Sequence, residues 1–145
     1  MKIIKKPLMF LILGLVLSLT IISASAAYAI SDVYSFPIAI NGIWYSNYAT
    51  IFASSPPAAA DAWAEMDTTS NVSAGYMRVT AKLFDASGYQ YSQRTATNSV
   101  PATSTAINTG NYTGSGEYFS QGRTEGWTGT TYTGYDTKPS PHLVA

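Results

Sequence analysis

The sequence predicts an all-β protein, built as a single antiparallel β-sandwich, with a small barrel as the alternative. Thr, Ser, Tyr, Gly and Ala dominate the chain after residue 30, and charged residues are only 11% of the whole sequence. This composition suits half-buried strands better than helices. In several short segments apolar and polar residues alternate with a period of two, and turn residues separate those segments.

Residues 1–29 stand apart from this pattern and predict the helix of a signal peptide. Three lysines among the first six residues precede an uncharged apolar run over residues 8–22, and Ala27 and Ala29 provide the small side chains of a cleavage site. Residues 24–26 are a second possible cut. The apolar run is shorter than the about 20 residues of a membrane-spanning helix, which favours cleavage over a retained anchor. We therefore expect a secreted, extracellular protein that meets the membrane only through this segment during export; retention by an uncleaved signal is the alternative.

The chain that remains after removal of the signal has a negative net charge. Three of the eight basic residues lie in the signal, so the net charge that remains is 5 − 8 = −3. The five remaining cations are scattered singly, whereas nucleic acid requires a clustered basic face, and nucleic acid is not an expected partner. The chain has no cysteine, which indicates stabilisation by sheet packing and is typical of an exported bacterial protein.

Apolar and polar residues alternate most clearly over residues 76–85. They predict a strand whose buried face carries Met77, Val79, Ala81 and Leu83. Gly88 lies in the turn sequence that follows, so residues 89–97 are predicted to return as the second strand of an antiparallel hairpin.

Upstream, residues 43–52 predict a strand with large side chains on both faces, where Trp44, Tyr48 and Phe52 share one side. The Asn-Gly pair at positions 41 and 42 is a strong turn signal, so residues 33–40 are the predicted hairpin partner. Pro37 places that partner at a sheet edge.

Downstream, residues 117–124 and 127–135 predict a second hairpin joined near Glu125 and Gly126. Residues 98–109 are rich in Ser and Thr and predict a long surface connection.

Residues 54–67 are ambiguous. A capping serine followed by prolines and alanines suits a short helix, whereas the alternation at residues 62–67 suits a strand, which we favour. No composition break divides the chain, so residues 30–137 are predicted to form one domain. Residues 138–145 contain two prolines and predict an irregular C-terminal tail.

Aromatic residues beside Thr-Gly pairs are the one positive indication of a binding role. Tyr112, Trp127 and Tyr132 each precede Thr-Gly, and Tyr135 follows in the same predicted strand. Sheet packing is the favoured interpretation, because an aromatic ring covers the gap beside a strand glycine. The alternative is an exposed platform of these four residues that stacks on a cell-wall glycan or on a protein at the cell surface.

Carboxylates form a second candidate. Glu65 is two residues from Asp67 and four from Asp61, so a strand or a helix would pair two acids for glycoside hydrolysis or calcium binding. Neither pair has the spacing of a calcium loop, and solvated surface charge is the simpler interpretation. With no cysteine and with His142 as the single histidine, a hydrolase triad or a zinc site is not expected. The sequence predicts no metal and no cofactor.

These observations order three functional hypotheses. The first is a non-enzymatic binding protein of bacterial origin, secreted or held at the cell surface. The second is an exported antimicrobial or pore-forming polypeptide, suggested by small size and weakly charged strands but opposed by the acidic net charge. The third is a small hydrolase that uses Glu65 with Asp61 or Asp67.

Overall fold

The computed structural model describes residues 25–145, and this part of the chain is all-β. Its strands form two antiparallel sheets, which enclose two clusters of buried side chains as a β-sandwich. Residues 1–24 of the predicted signal-peptide helix lie outside the described residues, whereas residues 25–29, the end of that segment, are strand rather than helix. Among residues 25–145 there is no helix with the length and hydropathy of a membrane-spanning segment.

The first sheet is built on two long neighbouring strands. Its members are β1 (Ser25–Ile30), β2 (Tyr34–Ser35), β3 (Tyr45–Ser55), β4 (Ala59–Val72), β7 (Ala102–Asn108) and β8 (Tyr112–Thr113). β3 pairs with β4 along most of its length, β1 and β2 lie end to end along the other side of β3, and β7 and β8 do the same along β4. The first sheet therefore has a continuous two-strand centre and segmented edges.

The second sheet has β5 at its centre. Its members are β5 (Met77–Asp85), β6 (Gln90–Thr97), β9 (Glu117–Ser120), β10 (Arg123–Trp127), β11 (Tyr132–Asp136) and β12 (Leu143–Val144). β6 pairs with one side of β5, while β10 and β9 pair with successive parts of the other side. β11 extends the sheet beyond β10, and β12 extends it beyond β9.

The inner faces of both sheets follow the period-two pattern. The predicted buried face of β5 is confirmed, because Met77, Val79, Ala81 and Leu83 are all fully buried. The facing positions of β3 and β4 are mostly small alanines, which lets the two sheets approach closely. At Gly122 a Cβ atom would lie 2.5 Å from the carbonyl oxygen of Thr80 and would also collide with Ala64. Only glycine fits at this contact.

Turn chemistry is confirmed at two hairpins. Asn41 and Gly42 both have positive φ, 52° and 75°, and the residues on either side of them form a β-bridge, as a two-residue hairpin turn requires. Gly88 has φ of 86° between β5 and β6. The ambiguous segment over residues 54–67 is strand, since β4 begins at Ala59.

The turn predicted near Glu125 and Gly126 is wrong, because both residues lie inside β10. The chain turns instead at Thr128 to Thr131, where the Thr128 amide donates a hydrogen bond of 2.8 Å to the Thr131 carbonyl oxygen. Gly126 is a glycine for packing reasons: a Cβ atom there would meet the side chains of Ile40 and Tyr45 at 3.1 Å.

Two segments predicted as irregular contain strands. Residues 98–109 contain β7, whose Ser and Thr side chains suit a half-exposed edge strand. Residues 138–145 contain β12, which pairs with the free side of β9. The amide of Ala145 donates a hydrogen bond of 2.9 Å to the Gly116 carbonyl oxygen. The tail is therefore anchored, because β9 offers unpaired backbone groups to its end.

Candidate binding groove on the first sheet

The aromatic residues predicted from sequence do not form one platform. Trp127 and Tyr132 do meet on the second sheet, with ring centroids 5.1 Å apart. The guanidinium of Arg78 lies 4.0 Å from the centroid of the Tyr132 ring, and the Tyr132 hydroxyl donates a hydrogen bond of 2.6 Å to the Gly75 carbonyl oxygen. Tyr132 of this pair therefore interacts with other residues of the protein, through both its ring and its hydroxyl.

Tyr135 and Tyr112 lie elsewhere. The Tyr135 ring packs edge-on against Phe36 at 4.8 Å and belongs to the packing around the core. The Tyr112 ring contacts Tyr91 at 4.5 Å and Tyr118 at 5.8 Å, beside the second core cluster. These two residues therefore serve sheet packing, which was the favoured interpretation from sequence.

A different aromatic row crosses the outer face of the first sheet. Tyr28 on β1 is the register partner of Phe52 on β3, and their ring centroids are 6.0 Å apart. Phe52 is followed by Trp63 on β4 at 6.1 Å. Tyr28 is 66% exposed and Phe52 is 41% exposed, so this row presents ring surface to solvent. Large exposed apolar groups that lie together on a sheet are typical of a binding surface.

These three rings line an open groove. The groove has a volume of about 360 Å³, and its lining residues are Tyr28, Ile30, Tyr48, Thr50, Phe52, Trp63 and Glu65. A second recess of about 350 Å³ is lined by Ser35, Trp44, Tyr45, Ser46, Asp67, Thr68 and Thr69.

The two recesses lie end to end on one face of the sheet. Tyr48 pairs with Glu65 and Ser46 pairs with Asp67, so successive outward positions of β3 and β4 line first one recess and then the other. Residues 63–69 of β4 span both recesses, and six steps of extended chain cover about 20 Å. We call the combined depression the outer groove.

The three carboxylates singled out from sequence all lie on this face, because β4 is a strand and odd-numbered positions alternate with buried ones. The Tyr48 hydroxyl donates a hydrogen bond of 2.6 Å to Glu65 Oε2. The Thr109 hydroxyl donates one of 3.1 Å to Asp61 Oδ1. None of the ion pairs formed among residues 25–145 involves Asp61, Glu65 or Asp67.

Burial and mutual repulsion act on these acids. Burial raises the pKa of Asp61, although hydrogen bonds from Thr109 and Trp63 oppose it. Burial, followed by the charge of Glu65 and a hydrogen bond with it, raises the pKa of Asp67. Burial and then the hydrogen bond to Glu65 raise the pKa of Tyr48, which keeps its hydroxyl protonated as a donor. Within the described residues no group of three acidic, histidine or cysteine side chains is arranged to hold a metal ion.

The outer face of the second sheet is arranged differently. Glu125 Oε2 accepts a hydrogen bond of 2.7 Å from Arg78 Nε, and Glu125 Oε1 lies 3.5 Å from Arg123 Nε. Arg123 also reaches Asp136 at 3.3 Å. The hydrogen bond from Arg78 lowers the pKa of Glu125 against the opposing effect of burial. Arg78, Arg123, Glu125 and Asp136 therefore neutralise one another on this face.

The sequence predicts part of the groove. The strand over residues 43–52 was predicted with Tyr48 and Phe52 on one side, which is the exposed side in the structure. Tyr28 was assigned to the signal peptide, and it lies in β1 together with Ala27 and Ala29. A cut after Ala29 would remove Tyr28 from the groove, whereas a cut within the alternative site at residues 24–26 would leave it.

Comparison with known proteins adds no relative to these observations: no protein-family model matches the chain, and no match was found among curated proteins or solved structures. The fold and the groove define an all-β sandwich with an aromatic and acidic surface on one sheet. A functional assignment therefore rests on the chemistry of that surface.

Proposed function

We propose that this chain is a non-enzymatic binding protein, secreted or held at the cell surface, that binds a glycan chain along the outer groove. The observation that carries the proposal is the exposed row of Tyr28, Phe52 and Trp63 beside the hydrogen-bonded pair of Tyr48 and Glu65. Flat apolar rings stack on the C–H faces of sugar rings, and carboxylates accept hydrogen bonds from sugar hydroxyls. The groove provides both kinds of contact side by side.

The shape of the groove suits a chain molecule. Each recess is near the lower end of the volume range of ligand sites, and the two together follow about 20 Å of strand. An extended polysaccharide can occupy consecutive recesses with consecutive sugar units. A single small molecule would fill one recess and leave the other in water.

The spacing of the carboxylates favours binding over hydrolysis. Glycosidases place two carboxyl groups about 5 to 9.5 Å apart, on opposite sides of the bond that breaks. Glu65 and Asp67 lie two residues apart on one strand face, so both meet a ligand from the same side rather than from opposite sides of a bond. Asp61 lies four strand residues from Glu65, about 13 Å along β4. The same three charges oppose insertion of this face into a membrane.

Binding to glycans tests the proposal directly. We would measure retention of the protein on insoluble peptidoglycan, chitin and cellulose, and the change of Trp fluorescence with soluble oligosaccharides of each. Trp63→Ala is expected to weaken binding at least tenfold, since a central aromatic contact contributes about 1.4 kcal/mol or more. Trp127→Ala is the matched control, because it removes a ring from the second sheet.

Two results would contradict the proposal. One is the absence of retention on all three polysaccharides. The other is an equal loss of binding in Trp63→Ala and Trp127→Ala, which would place the contact outside the groove.

A further inference from the structure

The distribution of cations along the chain bears on the ligand of the outer groove. Residues 7–77 contain no Lys, Arg or His, and the next cation is Arg78. β7 and β8 contain none either. Every strand of the first sheet is therefore free of positive side chains, although this sheet carries Asp61, Glu65 and Asp67 on its outer face.

Two cations of the second sheet point away from this face. Arg78 and Lys82 alternate along β5 with fully buried residues that point into the core, so they point away from the first sheet. Arg123 is engaged with Glu125 and Asp136. The described residues that line the outer groove include two carboxylates, Glu65 and Asp67, and no cation. Lys138 pairs with Asp32, which lines neither recess.

From this we infer that the outer groove selects glycans that carry free amino groups, such as polymers of glucosamine, over acetylated, neutral or acidic glycans. The inference rests on the proposed glycan-binding function and adds the chemical class of the sugar. Protonated amines supply the positive charge that the groove lacks, and they repeat along the polymer as the carboxylates repeat along β4.

Each element of the groove has a counterpart in such a ligand. Glu65 lines one recess and Asp67 the next, so an ammonium group between them would relieve their mutual repulsion, which adds to the effect of burial in raising the pKa of Asp67. The aromatic row stacks on the sugar rings and attracts nearby ammonium groups by cation–π interaction. Uronic acids and phosphate-bearing polymers would be repelled by the same carboxylates, and like-charge contacts discriminate strongly.

Three soluble oligomers of equal length test the selectivity by calorimetry: a glucosamine hexamer, an N-acetylglucosamine hexamer and a galacturonate hexamer. The measurements use a pH at which the amines and the carboxylates are both charged. We expect the glucosamine hexamer to bind at least tenfold more tightly than the acetylated one and the galacturonate hexamer not to bind. The preference should shrink at high salt, because exposed charges are screened.

The double variant Glu65→Gln, Asp67→Asn should abolish the preference while it retains binding of the acetylated hexamer. The double variant Glu117→Gln, Asp136→Asn removes the same charge from the second sheet and should leave the preference intact. A loss of preference in both variants would overturn the inference, since net charge rather than the groove would then be responsible.

The outcomes separate the inference from the proposed function. Equal affinity for the glucosamine and acetylated hexamers, lost in Trp63→Ala, would overturn the amino-group selectivity and leave glycan binding standing. Failure of all three oligomers would overturn the inference, and it would overturn the proposed function as well if the protein is also not retained on peptidoglycan, chitin or cellulose. Binding of an oligolysine peptide as tight as that of the glucosamine hexamer, with no binding of the acetylated sugar, would show that the groove binds cationic peptides and would also overturn the inference.

Discussion

Residues 25–77 and residues 78–145 contain four carboxylates each, and the carboxylates on the outer faces of the two sheets lie in different surroundings. The second half also contains all five Lys and Arg residues of the described chain. There Glu125 is held by two arginines and its pKa is lowered. In the first half the pKa of Asp61 and of Asp67 is raised, and no cation compensates them. On the second sheet two arginines compensate Glu125, whereas on the first sheet no ion pair within residues 25–145 compensates Asp61, Glu65 or Asp67.

Aromatic residues repeat the contrast. The ring of Tyr132 on the second sheet is covered by Arg78, and its hydroxyl donates a hydrogen bond to the backbone carbonyl oxygen of Gly75. Tyr28 and Phe52 on the first sheet lie beside one another, Phe52 also lies beside Trp63, and Tyr28 and Phe52 are both substantially exposed. The same residue types thus serve stability on one sheet and remain available on the other. The partner of a side chain, rather than its type, separates the two roles.

The largest expected effect comes from removing the outer wall of the groove. A chain that begins at Ile30 lacks most of β1 and the Tyr28 ring, whereas a chain that begins at Ala27 retains both. We expect the shorter chain to bind the glycan at least tenfold more weakly. Its free energy of unfolding should fall by about 1–2 kcal/mol, because the loss of Tyr28 and of the backbone that pairs with β3 leaves β3 uncovered. Calorimetric titration and urea unfolding measure the two quantities. Equal affinity of the two chains would exclude Tyr28 from the site.

A smaller effect is expected on the second sheet. Glu125→Gln should lower the free energy of unfolding by about 1–2 kcal/mol at neutral pH, because it removes charge-assisted hydrogen bonds to a mostly buried acceptor. The pKa of Glu125 is lower in the folded state, so its stabilisation is present above the unfolded pKa and is lost as the pH falls through the folded one. Urea unfolding from neutral to acidic pH should therefore show the variant and the parent converging. Asp136→Asn, at an exposed pair, is the control, with a change below about 0.5 kcal/mol. A Glu125→Gln effect no larger than that would show that the network does not stabilise the sheet.

The smallest effect has the opposite sign. Asp67→Asn should raise the free energy of unfolding by about 0.5 kcal/mol at neutral pH, since like charges side by side destabilise by roughly this amount. The pKa of Asp67 is raised in the folded state, so its ionisation costs stability as the pH rises through that pKa. Well below the unfolded pKa of about 3.9 the aspartate is protonated in the folded and unfolded states, and the difference between variant and parent should vanish. A less stable variant at neutral pH would mean that Asp67 is compensated within the fold and would remove the contrast between the two sheets.

Local patterns were sufficient for much of the fold. Alternation along β5 identified its four buried residues, and Asn41 with Gly42 identified a turn, because both features depend on neighbouring residues alone. The turn predicted at Gly126 was wrong, because glycine is equally suited to turns and to positions where strands pack closely. Only the contact with Ile40 and Tyr45, distant in sequence, distinguishes the two.

The groove was harder to predict because it depends on long-range pairing. Tyr28, Phe52 and Trp63 belong to three strands, and they adjoin only through the registers of β1 with β3 and of β3 with β4. Tyr28 also lay in a segment with the composition of a signal peptide. Trp127 and Tyr132 had the stronger local pattern, but their partners, Arg78 and Gly75, are also distant in sequence.

The cation-free stretch has a further consequence for the passage of this chain across a membrane. Lys and Arg within about 15–20 residues after an apolar signal hold that flank in the cytoplasm. Here the first such residue is Arg78, 78 − 22 = 56 residues beyond the end of the apolar run at Ile22, so the leading flank would meet no such barrier to translocation. The 20 residues after Ile22, in which a Lys or Arg would oppose translocation, end near residue 42. The groove floor at residues 63–69 lies well beyond them. If the chain is secreted as proposed, translocation would account for the missing cations at the start of the stretch but not for those missing beneath the groove.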